Sequence, residues 1–231
     1  MGGLLFVATR TVGEMAPQPR RTAGSRRERL LVLDPRFMTV LISALVAGTI
    51  SGSISISVPV VVSGSGGPAA AGIALGLFAG GSAVGGLLFG ALRVPGSPTR
   101  QLLVLTAGLI AVSSLVALAT GALAVSVVLA AAGLFFSPVM IVAYFAAHHA
   151  GGERRENSAT TWVNTSHNVG AALGSAVTGI IVQAATVPTA VAAITGTAVI
   201  LLGASAVLGR SHGSFARNGG LDAGEATNGG K

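Results

Sequence analysis

From Phe37 onward the chain alternates long apolar runs with short polar or charged breaks. The runs extend over Phe37 to Val61, Ala69 to Leu92, Gln101 to Thr120, Leu123 to Ala147, Ala159 to Val182 and Pro188 to Leu208. Each has the roughly 20 residues that a helix needs to cross a hydrocarbon layer about 30 Å thick. The pattern predicts an all-α membrane protein with a six-helix transmembrane bundle over residues 37–208. A basic, proline-broken tail occupies 1–36, and a glycine-rich polar stretch over 209–231 reads as a disordered tail.

The breaks carry the expected chemistry of helix ends. Asp34 and Pro35 fit the cap and first position of span one, and Pro68 fits the first position of span two after the uncharged Ser63–Gly67 turn. Gly121 separates spans three and four, and Thr186-Val-Pro188 separates five and six. In the basic tail, Ser25-Arg-Arg-Glu28 before Leu30 fits a capping box, consistent with a short interfacial helix or a solvated connector. Within span one, Ser51, Ser53, Ser55 and Ser57 alternate with apolar or glycine positions, a period of two that indicates a strand in water. A lone strand in lipid leaves its backbone groups unpaired, so a helix is expected here, loosened near Gly52 and Pro59. Ser51 and Ser55 then share a face, as do Gly48, Ser51 and Gly52. The serine hydroxyls either line a water-filled path or bond their own helix carbonyls.

Span five departs most from plain hydrophobicity. After the charged turn Glu153-Arg-Arg-Glu156, with Asn157 or Ser158 as candidate caps, it has no fixed charge, yet it carries Asn164, His167 and Asn168 roughly 10–16 Å inside the layer. Polarity at that depth is costly and marks a candidate site. Gly170, Gly174 and Thr178 recur every four residues, a smooth stripe for close helix packing. Span two has two such ladders, Gly72, Gly76 and Gly80, and Ser82, Gly86 and Gly90, which predict a helix deep in the bundle. Span four holds Phe135, Phe136, Ser137, Pro138 and Tyr144, with His148 and His149 at its end, while spans three and six are nearly featureless and read as lipid-facing. Trp162 and Tyr144 fit interfacial anchors. Gly81-Ser-Ala-Val-Gly-Gly-Leu-Leu in span two matches Gly174-Ser-Ala-Val-Thr-Gly-Ile-Ile in span five, which has the opposite orientation. This points to a three-plus-three inverted repeat.

Composition narrows the function. Of 231 residues, 51% are hydrophobic and only 9% charged, and the mean hydropathy is +0.77, which excludes an ordinary soluble core. Without cysteine, thiolate metal sites and thiol nucleophiles are excluded, and no cofactor or metal motif is present. The net charge of +7 reflects topology rather than nucleic-acid binding. All fourteen basic residues lie before span one, after spans two and four, or after span six, which predicts cytoplasmic termini in a cell inner membrane. All seven acidic residues lie in tails or cytoplasmic turns, leaving His167 as the sole group at depth that titrates near neutrality. Ser137 and His167 sit in no nucleophile turn, which argues against an intramembrane hydrolase.

Six spans, a basic tail and the segment Glu156-Asn-Ser-Ala-Thr-Thr-Trp-Val-Asn-Thr-Ser-His-Asn-Val-Gly170 resemble the C-terminal half of a major facilitator superfamily transporter of bacterial efflux type. Gly133-Leu-Phe-Phe-Ser-Pro138 adds to the resemblance, and Gly2–Thr9 resembles the end of a preceding helix. The Gly86–Arg93 segment keeps a glycine and an arginine of the family's loop signature but lacks its aspartate. The resemblance implies that spans one and four line a central cavity, that two and five face a second half and that three and six face lipid. It implies secondary active efflux of a small molecule by alternating access. Cavity candidates are Ser51, Ser55, Phe136, Ser137, Asn164, His167 and Asn168. Helix-packing candidates are Gly72, Gly76, Gly80, Gly86, Gly90, Gly170 and Gly174. The expected partners are the lipid bilayer, a small-molecule substrate and an N-terminal six-helix half or a second copy. The rival reading is a truncated or non-transporting membrane subunit that stabilises a partner.

Overall fold

A computed structural model describes residues 34–92, 94–151 and 156–225, and these residues are helical apart from short connections. In chain order the helices are α1 (Pro35–Val62), α2 (Gly67–Ala91), α3 (Pro98–Ser114), α4 (Gly121–Gly151), α5 (Glu156–Ala184) and α6 (Val187–Glu225). A 3₁₀ turn, Leu115–Ala117, extends α3. The Ser25–Glu28 box and most of the basic tail, Arg93, the charges at 153–155 and the C-terminal residues 226–231 lie outside the described residues.

Local chemistry accounts for the helix ends. The Asp34 carboxylate accepts from the Arg36 N–H at 2.8 Å, and Pro35 occupies the first turn, where no donor is needed. α1 and α2 form one helical stretch interrupted at Gly67, whose φ of 66° and ψ of −166° suit only a residue without Cβ. The expected Ser63–Gly67 turn is therefore confined to a kink at Gly67, with Pro68 opening the next helix. Ser97 caps α3 ahead of Pro98, and the Gln101 amide donates to the Val94 carbonyl at 2.8 Å, closing the α2–α3 connection. The Thr186 hydroxyl accepts from the Thr189 N–H at the start of α6. Asn157 lies inside α5 rather than at its cap, its carbonyl accepting from the Thr161 hydroxyl at 2.6 Å.

Five helices, α1 to α4 and the Val187–Val207 part of α6, are long and apolar enough to cross a membrane. α5, the fifth of the six expected spans, is long enough at 29 residues but not apolar enough. Asn157, Thr161, Asn164, Thr165, His167 and Asn168 crowd its first half and dilute its hydropathy. α6 continues as helix to Glu225, through most of the stretch whose composition reads as a disordered tail.

α1 forms the centre. Phe37, Val46, Val58 and Val62 are fully enclosed, packed in one cluster with Leu102 and Leu109 of α3 and Leu129 and Val139 of α4. The expectation that α2 lies deep in the bundle is corrected. Within its span 11% of residues are buried, against 56% in α1. α2 uses one narrow stripe for packing and leaves the rest of its circumference uncovered.

Candidate functional site

Two close helix crossings frame the site. At the first, α1 and α5 meet backbone to backbone. A Cβ added at Gly48 or Gly52 of α1 would overlap the carbonyl of His167 or Ala171, and one added at Gly170 or Gly174 of α5 would overlap the carbonyl of Leu45 or Thr49. Four glycines thus bring the axes together, as small residues do between membrane helices. The crossing is fastened by the Ser175 hydroxyl, which donates to the Gly52 carbonyl at 3.1 Å, and by the buried Thr178 hydroxyl, which donates to Ser53 Oγ at 2.8 Å. The stripe Gly170, Gly174 and Thr178 therefore docks on α1 of the same chain.

At the second crossing, α2 meets α4. A Cβ at Gly81 or Gly85 would overlap the carbonyl of Ala130 or Leu134, and one at Gly133 would overlap the Phe78 carbonyl. Pro138 supplies no N–H to the Leu134 carbonyl one turn earlier, and that freed oxygen rests against Gly85. Of the helix-packing candidates on α2, Gly86 meets the Ser137 side chain, whereas Gly72, Gly76, Gly80 and Gly90 have nothing within 4 Å where a Cβ would stand. Gly81 and Gly85 perform the docking. A helix so rich in small residues offers several ladders, and no neighbouring side chain distinguishes the one that is used.

Between the crossings lies a cluster of polar and aromatic side chains. Phe136 of α4 stands between Phe78 of α2, at 5.3 Å between ring centroids, and His167 of α5, edge to face at 5.8 Å. His167 Nδ1 is buried and has no hydrogen-bond partner. Toward the His148 end of α4, the Tyr144 hydroxyl donates to Asn164 Oδ1 at 3.4 Å, and the Asn168 amide donates to the Asn164 carbonyl at 2.9 Å. Asn164 and Asn168 are exposed on this chain, so their remaining donors and acceptors are open to a ligand or another polypeptide.

The structure thus gathers Phe136, His167, Asn164 and Asn168, with Ser137 beside Gly86. Ser51 and Ser55 are not joined to this cluster by any hydrogen bond. Their hydroxyls donate to the carbonyls of Gly48 and Ser51, each at 2.9 Å, which satisfies them within α1. Pro59 provides no N–H to the Ser55 carbonyl, leaving that oxygen as a polar feature of the α1 surface. Phe78 is an addition that sequence reasoning missed, since one phenylalanine in an apolar helix carries no distinguishing signal. Tyr144, which reads as an interfacial anchor, also bonds Asn164 at the edge of the cluster. Trp162 is 40% exposed. Among the described residues, no three of His, Cys, Asp and Glu gather to hold a metal ion.

What such a cluster can do is bind an uncharged or cationic organic molecule through ring faces and amides, since the described spans contribute no carboxylate or fixed cation to it. A family model described as Major Facilitator Superfamily matches residues 3–222. No curated protein and no solved structure matches the chain. A match over nearly the whole length, joined to five helices fit to cross a membrane and a polar cluster between close-packed crossings, shows that this multi-pass membrane chain belongs to the Major Facilitator Superfamily of transporters.

Proposed function

We propose that this chain is the C-terminal six-helix half of a secondary active carrier that exports a small molecule by alternating access in the inner membrane. In this reading α5 is the sixth crossing. Its helix spans about 43 Å at about 1.5 Å per residue, and much of its polarity is spent on α1, α4 and its own backbone. Both termini are cytoplasmic, because Arg36 and Arg100 lie in the first turns of α1 and α3 and the charges at 153–155 precede α5.

One observation carries the reading. Moving 81 positions on takes Gly52 of α1 to Gly133 of α4, and moving 93 back takes its contact Ala171 of α5 to Phe78 of α2. Gly133 does abut Phe78. The same two shifts turn the Gly174–Thr49 contact into Gly81–Ala130, and the Thr178–Ser53 bond into the approach of Gly85 to Leu134. A shift of 93 is also the one that aligns Gly81-Ser-Ala-Val with Gly174-Ser-Ala-Val. Contacts and sequence arrive at one register independently, which supports an inverted three-plus-three repeat. Such repeats suit a bundle that rocks about a central site.

The second half, an N-terminal six-helix chain or another copy, meets the uncovered faces of α2 and α5. The α5 glycine stripe has no part in that contact, because α1 occupies it. Substrate binds against Phe136, His167, Asn164 and Asn168, with Ser137 at the edge. The coupling carboxylate, for a proton-driven cycle, comes from the other half. Expression in inverted membrane vesicles tests the reading. Co-expression with an N-terminal six-helix half from a transporter operon should yield proton-driven uptake that neither half gives alone. A chain that assembles with no such half and drives no uptake would instead be a non-transporting subunit. In the active pair, His167→Ala should lower the rate through loss of the Phe136 contact yet retain the pH profile. A profile shifted by a pH unit or so would give the coupling role to the imidazole. A cysteine introduced at Ser63 should be labelled by impermeant maleimide from the periplasmic side only.

A further inference from the structure

We propose that α1, α3 and α6 border a binding site for one structural water molecule, on a part of α1 that the Phe136–His167 cluster does not use. The inference is independent of the transport reading. A cavity of about 20 Å³ lies between these helices, where one water requires roughly 10–15 Å³. Apolar side chains such as Ile54, Ile110 and Ile194 form most of its wall, and hydroxyls from all three helices interrupt that wall: Ser57 from α1, Ser113 from α3 and Thr195 from α6.

The hydroxyls identify the occupant. Ser57 is 2% exposed and Ser113 9% exposed, and the Oγ atoms of both are buried without any hydrogen-bond partner. Ser53 also lines the space and already accepts from Thr178, so its own proton remains to be donated. An unpaired hydroxyl in an apolar wall is costly, and the cost is removed when one molecule both accepts and donates. Water does this with two to four partners, the number of hydroxyls available here. No charged group lines the cavity, so a bare ion gains nothing to offset its dehydration, and the volume beside the hydroxyls suits one water. Ser57 is also the member of the serine row left unexplained by the rest of the fold. Ser51 and Ser55 bond their own helix, and Ser53 bonds α5, whereas Ser57 lines the same cavity as Ser113.

The assignment separates two kinds of attachment on one helix. α1 is fixed to α5 by interlocking glycines, whereas its direct apolar packing on α3 and α6 is interrupted at one place by an exchangeable molecule.

Radiolytic footprinting of the full chain in detergent, in water enriched with ¹⁸O, tests this directly. Ile54 and Val116 beside the cavity should be oxidised several-fold faster than Val125 and Leu129, which are fully buried away from it. Equal, slow labelling of all four overturns the proposal. A mutant cycle tests it independently. Ser57→Ala and Ser113→Ala should each lower the thermal midpoint by about 2–4 °C, because each leaves the other hydroxyl and the water short of a partner. The double variant should lose no more than the larger single change. Additive losses, or two neutral single variants because each hydroxyl bonds its own helix carbonyl, overturn it. If neither variant folds, the footprint of the unaltered chain decides.

Discussion

Gly52→Ala is expected to destabilise the chain, whereas Gly76→Ala, the same chemical change on a neighbouring helix, should be neutral or stabilising. In a helix interior alanine is favoured over glycine by about 1 kcal/mol, so propensity alone predicts a gain at both positions. Sterics reverse the sign at Gly52. Its added methyl would overlap the Ala171 carbonyl oxygen and sit 2.8 Å from the carbonyl carbon, both backbone atoms with no rotamer into which to retreat. Separating α1 from α5 to admit the methyl also stretches the 2.8 Å Thr178–Ser53 bond and the Ser175 bond to the Gly52 carbonyl. Overpacking costs about 1–3 kcal/mol where side chains can adjust, so the steric term outweighs propensity here. At Gly76 nothing lies within 4 Å, and the propensity gain stands alone. In detergent melts Gly52→Ala should lower the midpoint by about 4–8 °C, and Gly52→Val should prevent accumulation of folded chain. Gly174→Ala, against Thr49 across the same crossing, should behave like Gly52→Ala. A Gly52→Ala midpoint at or above that of the parent chain would show that α1 and α5 do not cross at these residues.

That pair of glycines also marks where sequence reading succeeds and where it stops. The alternating serines of α1 carry a strand period, yet the segment is helical, as the solvent requires: in hydrocarbon an unpaired strand edge has no partner. Asp34-Pro35 and Gly67-Pro68 define a helix start and a kink because each acts on its own backbone, and local chemistry is visible in local sequence. The choice among glycine ladders is not local. Gly72, Gly76 and Gly80 have the same four-residue spacing as Gly48 and Gly52, and only the presence or absence of an opposing carbonyl distinguishes docked from uncovered. Asn164 and His167 stand out because polarity at depth needs a reason. Phe78, equally close to Phe136, goes unnoticed because an apolar ring in an apolar span needs none. α5 is less apolar than the other helices for the same cause that makes it a candidate site, since the polar residues that dilute its apolar character include Asn164, His167 and Asn168.

Gly76→Trp should leave the isolated chain as stable as its parent and yet abolish carrier activity once the second half is present. On the isolated chain the indole extends from the uncovered side of α2, where Gly72, Gly76 and Gly80 leave a shallow channel flanked by the exposed Ile73 and Leu77. Nothing within the chain resists it. If the second half closes on that channel, as the proposed architecture requires, the indole occupies the space where the opposing helix would lie, and the two halves cannot approach within the 8–10 Å of packed helices. Proton-driven uptake by the co-expressed pair should then fall by about tenfold or more, corresponding to at least about 1.4 kcal/mol of lost association. Val199→Trp on α6, an exposed position on the helix assigned to lipid, is the control and should leave uptake unchanged. Both substitutions place an indole at an exposed position, on α2 and on α6, so a general effect of tryptophan on insertion predicts losses at both. A selective loss at Gly76 requires an opposing surface on α2. Equal uptake by both variants would mean that the halves meet elsewhere, with the α2 glycines facing only lipid.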